Sequence, residues 1–121
     1  MIGLGIDVCQ VERIEKTLQK SDGFLTRYFT DEERAYLANK QMAQSAAGMY
    51  AAKEAFLKAL GVGLTGGVAL MDIGVTHDAR GGPAYRLSAK AAAAMEAKGA
   101  RAAFLSISHD GGIAAAVCVL E

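Results

Sequence analysis

The stretch from Gln44 to Leu60 constrains this chain more than any other part of it. It is rich in alanine, has no interior proline, and meets Gly61 where a left-handed residue usually ends a helix. At about 100° per residue, Met49, Ala52, Phe56, Ala59 and Leu60 gather on one side. Glu54 lies opposite, beside Tyr50, Leu57, Lys58 and Gly61. Large apolar residues on both sides predict a helix enclosed nearly all round, so the rest of the chain must wrap it. The Glu54 side is then no ordinary solvent face.

The flanking sequence supplies the wrapping. Residues 2–8 alternate between apolar residues and glycine and predict a short strand. Val11, Ile14 and Leu18 space an amphipathic helix over 10–20, which Ser21-Asp22-Gly23 ends. Phe24, Leu25, Tyr28 and Phe29 form an apolar cluster around Arg27. Thr30 and Glu33 form a capping box for a short helix to about Asn39. A glycine-rich loop runs from Gly61 to Gly67. Strands are expected over 70–77 and Pro83–Leu87 about the Ala79–Gly82 turn, and Ser88 caps an alanine-rich helix to Lys98. Phe104–His109 and Ile113–Leu120 pair around Asp110-Gly111-Gly112. The order β-α-α-α-β-β-α-β-β predicts an α+β fold, helices packed on an antiparallel sheet, with one domain over residues 1–121.

Composition removes several function classes. The 121 residues hold 13 basic and 13 acidic side chains. Each half is balanced on its own, so no basic surface is set aside for nucleic acid. The longest apolar run, Ile113 to Leu120, is far short of the roughly 20 residues that cross a bilayer. The N-terminus lacks a basic region, and the reading is neither a signal peptide nor a membrane protein. Cys9 and Cys118 have no metal-ligand spacing with each other or with His77 and His109, and read as small core residues of a reduced, cytoplasmic protein. Few aromatics and abundant alanine and glycine give a thin core, which favours oligomerisation.

Three residues stand where chemistry is expected. Asp7 ends a strand, Glu54 lies on the buried side of the central helix, and His109 ends another strand. A carboxylate in such a place needs a positive partner. Lys58, one turn after Glu54, supplies one as an i,i+4 pair. A hard cation is the other answer, because Mg²⁺ takes one or two carboxylates and completes its shell with water and phosphate oxygens. The loop at 61–67 follows a helix rather than opening one, so it matches no nucleotide-binding fingerprint. Ser108, His109 and Asp110 are consecutive and have no nucleophile elbow, which disfavours a hydrolase triad.

Several segments together resemble one family. Gly5-Ile6-Asp7-Val8 with Arg13-Ile14 is similar to the opening of the holo-[acyl-carrier-protein] synthases, and the run from Tyr50 to Gly61 resembles their signature helix. Gly81-Gly82-Pro83 and Ser106-Ile107-Ser108-His109 resemble their last two motifs, in order. The similarity spans almost the whole chain.

The resemblance implies a small 4′-phosphopantetheinyl transferase fold, trimeric, with active sites between subunits. It implies transfer of the phosphopantetheine arm of coenzyme A to a serine of apo acyl carrier protein, with release of adenosine 3′,5′-bisphosphate. Asp7 and Glu54 are then Mg²⁺ ligands and, with Lys58, the catalytic set. Lys58, Gly61, Gly82, Pro83 and His109 bind coenzyme A, and Arg13, Phe24 and Arg27 meet the carrier protein. A carboxylate or a bound water takes the serine proton. A broader-specificity transferase is the rival enzyme, disfavoured because such proteins usually join two such domains. A catalytically dead binding module is disfavoured by the presence of both Asp7 and Glu54. Two positions depart from the pattern: Met49 stands where the family often has arginine, and Asp110 where many members have serine or threonine.

Overall fold

In the computed structural model of the chain, residues 1–21, 23–38, 41–61 and 67–121 are described. The expected end of the first helix at Asp22, the end of the Thr30-capped helix at Asn39, and residues 62–66 of the glycine loop lie outside these residues. The chain runs β1 (Gly3–Gln10), α1 (Val11–Lys20), α2 (Gly23–Tyr28), α3 (Asp31–Leu37) and α4 (Met42–Leu60). A 3-10 turn (Leu70–Asp72) then leads into β2 (Ile73–His77), β3 (Pro83–Leu87), α5 (Ala89–Ala97), β4 (Ala103–Asp110) and β5 (Ile113–Leu120). The fold is α+β, as the patterning predicts.

The strands form two antiparallel sheets, one ordered β1-β5-β4 and one made of β2 and β3. α4 lies across the first sheet, against β1, β5 and β4, and also touches β2. Inward positions of β5 are Ala114, Ala116, Cys118 and Leu120, all buried. Small side chains there let the helix settle close to the sheet, where dispersion contacts are strongest. Most of α4 is buried, as its all-round apolar character requires. Gly61 ends it at φ 78°, donating its N–H to Leu57 and Lys58 carbonyls at 3.0 and 3.1 Å. Lys98 covers the Leu60 carbonyl at 3.0 Å.

The capping box forms as read: Thr30 Oγ1 accepts from the Glu33 N–H at 3.1 Å, and Glu33 Oε1 from the Thr30 N–H at 2.8 Å. Ser88 accepts from the Ala91 N–H at 3.1 Å and starts α5. Gly111 and Gly112 have φ of 56° and 80°, the two left-handed positions of a tight hairpin between β4 and β5.

The single antiparallel sheet of the patterning is divided into two, because among the described residues β2 and β3 pair only with each other, and three further details differ. The Phe24–Phe29 cluster contains the short helix α2, whose six residues are too few to show a helical period. The strand expected over 70–77 begins at Ile73, because Asp72 Oδ2 accepts from the Ala69 N–H at 2.9 Å and closes a turn. Met42, rather than Gln44, opens the central helix.

Candidate active site

β1 alternates its faces, with Gly3, Gly5, Asp7 and Cys9 toward α4 and Leu4, Ile6 and Val8 outward. A Cβ on Gly3 or Gly5 would collide with the carbonyl oxygens of Ala59 or Ala55, so these glycines allow backbone-to-backbone approach. The contacts run 3 to 59 and 5 to 55, so strand and helix are antiparallel. Two strand residues advance about 7 Å and one helical turn about 5–6 Å. That stagger sets Asp7 level with Ala51, whose neighbour one turn along the helix is Glu54.

Lys58 closes this corner. Its Nζ donates to Asp7 Oδ1 at 3.0 Å and to the Ile6 carbonyl at 3.1 Å. The expected Glu54–Lys58 pair along the helix is thus replaced by one across to the strand. Asp7 is the better-enclosed partner, with its side chain 17% exposed. Glu54 instead lies beside Tyr50, whose hydroxyl pKa is raised by burial first and then by the Glu54 carboxylate. Arg13 opposes that rise, and it also opposes the burial that raises the Cys9 thiol, to which Asp7 adds. Asp7, Cys9, Arg13, Tyr50 and Glu54 therefore share one electrostatic neighbourhood built by β1, α1 and α4.

A cavity of about 310 Å³ opens beside Glu54, lined by Arg27, Tyr28, Tyr50 and the Ala69–Met71 segment. Phe24 is half-buried, its ring 5.5 Å from Tyr28 and Phe29 and 5.7 Å from Tyr50. Arg27 lies over the Tyr28 ring. The three residues expected to meet a carrier protein thus border the corner that holds Glu54.

His109 and Pro83 come together elsewhere, in a cavity of about 200 Å³ with Gly81, Gly48 and the stacked rings of Tyr36 and His77. His109 Nε2 sits 3.1 Å from the Gln44 carbonyl. Gly82 is half-buried in the same turn, and Gly61 is exposed at the end of α4. The two cavities share no lining residue. Within one chain the sequence-predicted residues therefore form two groups.

The family model described as the 4′-phosphopantetheinyl transferase superfamily matches residues 3–118. A holo-[acyl-carrier-protein] synthase of Solidesulfovibrio magneticus is 48% identical over 120 residues, covering 98% of this chain and 97% of that protein. The crystal structure of the synthase from Neisseria meningitidis superposes with a TM-score of 0.91 at 32% identity, covering 100% of this chain and 98% of that one. The chain belongs to the holo-[acyl-carrier-protein] synthase family of phosphopantetheinyl transferases. Another member, from Helicobacter pylori and solved in complex with coenzyme A, gives a TM-score of 0.85 at 34% identity, covering 98% and 99% of the two chains.

Both departures from the synthase pattern have a place in the structure. Met49 is in the core, 1% exposed, where a flexible apolar side chain packs without a charge to bury. Asp110 ends β4, exposed, and borders a cavity on the far side of His109 with Val11 and Gln44.

The motif of this synthase helix also hides residues that sequence reasoning missed. Lys53, next to Glu54, is completely buried, and its Nζ donates to Glu33 Oε1 at 2.8 Å and to the Leu70 and Ile73 carbonyls at 3.2 and 2.8 Å. Burial lowers its pKa, with Glu33 opposing. Glu33 Oε2 accepts from the Val75 N–H at 2.8 Å, so the capping residue of α3 also holds α4 and β2. A lysine on an otherwise closed helix was the available signal. Gly48 was missed too: a Cβ there would stand 2.9 Å from His109 Nε2, so the glycine makes room for the histidine. A glycine inside an alanine helix costs about 1 kcal/mol, which marks it for a close approach.

Proposed function

We propose that the chain transfers the 4′-phosphopantetheine group of coenzyme A to a serine of apo acyl carrier protein, with Mg²⁺, and releases adenosine 3′,5′-bisphosphate. The observation that carries this reading is the corner where Asp7 of β1 meets Lys58 of α4, one turn from Glu54.

The donor set fits the metal. Asp7 and Glu54 offer hard carboxylate oxygens, and among the described residues no three His, Cys, Asp or Glu side chains form a metal-binding group. Two carboxylates leave room for water and phosphate oxygens, as Mg²⁺ prefers. When bound, the ion neutralises charge that develops on the pyrophosphate leaving group. Lys58, held against Asp7, supplies a point charge for the same phosphates. Tyr50 lies beside Glu54 in the same corner. Arg13 and Arg27, both exposed, offer positive charge to an acidic carrier and steer its approach. Phe24 gives that surface an apolar contact.

We read the His109 cavity as the nucleotide end of the coenzyme A site, with Gly82 and Pro83, and Gly61 closing the α4 end. The two groups become one site in a homotrimer, each centre completed by a neighbouring copy. The open face of the three-stranded sheet supports this: Leu4, Ile6, Val8 and Phe104 are 57%, 62%, 64% and 55% exposed. A continuous apolar face of that kind marks an interface. No helix among the described residues is long and apolar enough to cross a membrane. The same reading sets the reaction in the cytoplasm, where the unpaired Cys9 and Cys118 stay reduced.

The deciding experiment incubates the protein with apo carrier protein, coenzyme A and Mg²⁺, and weighs the carrier by mass spectrometry. The carrier gains one phosphopantetheine, and chelation of the metal abolishes the gain. No adduct, with a known transferase active in parallel, would overturn the reading.

A further inference from the structure

We infer that Asp78 is a positioning residue for the coenzyme A nucleotide: its carboxylate holds the 78–82 turn in the shape that presents Gly81 and Pro83 to the His109 cavity. The inference rests on the reading of that cavity as the nucleotide end of the site.

One oxygen does half of the holding. Asp78 Oδ1 accepts from the Arg80 N–H at 2.9 Å and from the Gly82 N–H at 2.8 Å. The backbone closes the same turn, Gly81 N–H to the Asp78 carbonyl at 3.0 Å and Asp78 N–H to the Gly82 carbonyl at 2.9 Å. The other carboxylate oxygen lies so near Gly82 that a Cβ there would stand 2.7 Å from it. Gly81 sits at φ 85°, a conformation that glycine tolerates and other residues rarely adopt.

Both ends of the turn are anchored beside the cavity. His77 enters it stacked on Tyr36, ring centroids 4.1 Å apart and planes within 2°. Pro83 leaves it as the ladder partner of His77. Tyr36, His77, Gly81 and Pro83 line the same cavity as His109. Between these anchors the shape of the wall depends on the turn, and the side-chain part of the turn is Asp78 alone. Asp78 is exposed and spends its charge on backbone N–H groups within its own turn, so it shapes the wall without itself forming part of the cavity. A side chain that accepts from its own downstream N–H groups is a common way to pre-form such a turn, and a pre-formed wall lowers the ordering cost of binding.

The test compares wild type, Asp78→Ala and Asp78→Asn in transfer kinetics, and in calorimetric binding of adenosine 3′,5′-bisphosphate. Asn keeps an oxygen that accepts the same two N–H groups, whereas Ala keeps none. The expected result is a rise of roughly five- to tenfold in KM for coenzyme A and in nucleotide Kd for Asp78→Ala, about the effect of losing one hydrogen bond. kcat and the KM for the carrier stay unchanged, and Asp78→Asn behaves as wild type. An unchanged coenzyme A KM in Asp78→Ala overturns the inference. So does an Asn variant as impaired as the Ala variant, or equal losses in kcat and both KM values. Failure of the wild type itself to bind the nucleotide would remove the cavity reading; wild-type binding with an unaffected Asp78→Ala removes only the role of Asp78.

Discussion

Lys58 leaves its own helix to bond β1, with Nζ 3.0 Å from Asp7 Oδ1 and 3.1 Å from the Ile6 carbonyl. Its side chain is 56% exposed, and ion pairs so open to water contribute about 0–1 kcal/mol. Stability does not explain a cation held there; in the proposed function it meets a phosphate of coenzyme A. Lys58→Gln is expected to change urea unfolding by less than about 1 kcal/mol while lowering kcat/KM for coenzyme A at least tenfold, roughly the loss of one charge-assisted contact. A large stability loss with normal kinetics would make the lysine a structural pin.

Glu54→Gln separates metal binding from folding. Glu54 is half-buried, and Gln preserves its shape while removing its charge. Losing one of two carboxylates removes several kcal/mol of charge stabilisation, so transfer falls about a hundredfold or more. The Mg²⁺ concentration needed for half-maximal rate rises with it. Circular dichroism and the melting temperature report an intact fold. Near-normal turnover at ordinary Mg²⁺ would exclude Glu54 as a ligand.

How much of this was legible in the sequence differs by element. The capping box at Thr30–Glu33 and the Gly61 cap were plain, because both depend on neighbours a few residues away. The enclosed central helix was plain as well, since apolar residues on all sides leave no other solution. The partner of Lys58 was not: local spacing offers Glu54, and only the antiparallel packing of β1 on α4 brings Asp7 into reach. Lys53 and Glu33 are 20 residues apart, and nothing local announces their pairing. The division into two antiparallel sheets was equally hidden, because it depends on which strands pair over long distances.

The open face of the three-stranded sheet predicts assembly. Ile6 and Val8 are outward on β1, which also carries Asp7 inward. Ile6→Lys puts a charge on that face without touching the core. Light scattering is expected to show the mass falling from three copies to one, with secondary structure retained and transfer lost. A variant that stays assembled would place the interface elsewhere.

Alkaline pH should weaken the fold through its buried thiols. Burial raises Cys118 above the ordinary 9.0, with the neighbouring Tyr85 opposing, and burial raises Cys9 as well. The folded state therefore holds these protons more tightly than the unfolded one. Such a group's stabilisation is complete below 9.0 and is lost as pH rises toward its raised folded value. Tyr50 and Tyr85, also raised by burial, add the same trend above 10.0, while Lys53, lowered by burial, acts in the opposite direction below 10.5. Cys118→Ala is expected to lose less stability than wild type as pH increases beyond 9.0, measured by urea unfolding across that range. Parallel curves would show that the thiol does not titrate differently in the two states.

Lys53 and Glu33 set the last expectation. Both side chains are removed from solvent, and together they join α3, α4 and β2. Removing one member of such a pair leaves an uncompensated charge inside the protein and costs about 3–5 kcal/mol. That is a large share of the about 5–15 kcal/mol that hold a typical domain together. Lys53→Met is therefore expected to be among the most destabilising single changes in the chain. Adding Glu33→Gln removes the stranded charge while keeping an acceptor for the Thr30 or Val75 N–H, so the double variant should recover about 1 kcal/mol or more. A double-mutant cycle in urea decides between two accounts. Recovery assigns the loss to the stranded carboxylate, whereas additive losses assign it to the Leu70 and Ile73 carbonyls that Lys53 also binds.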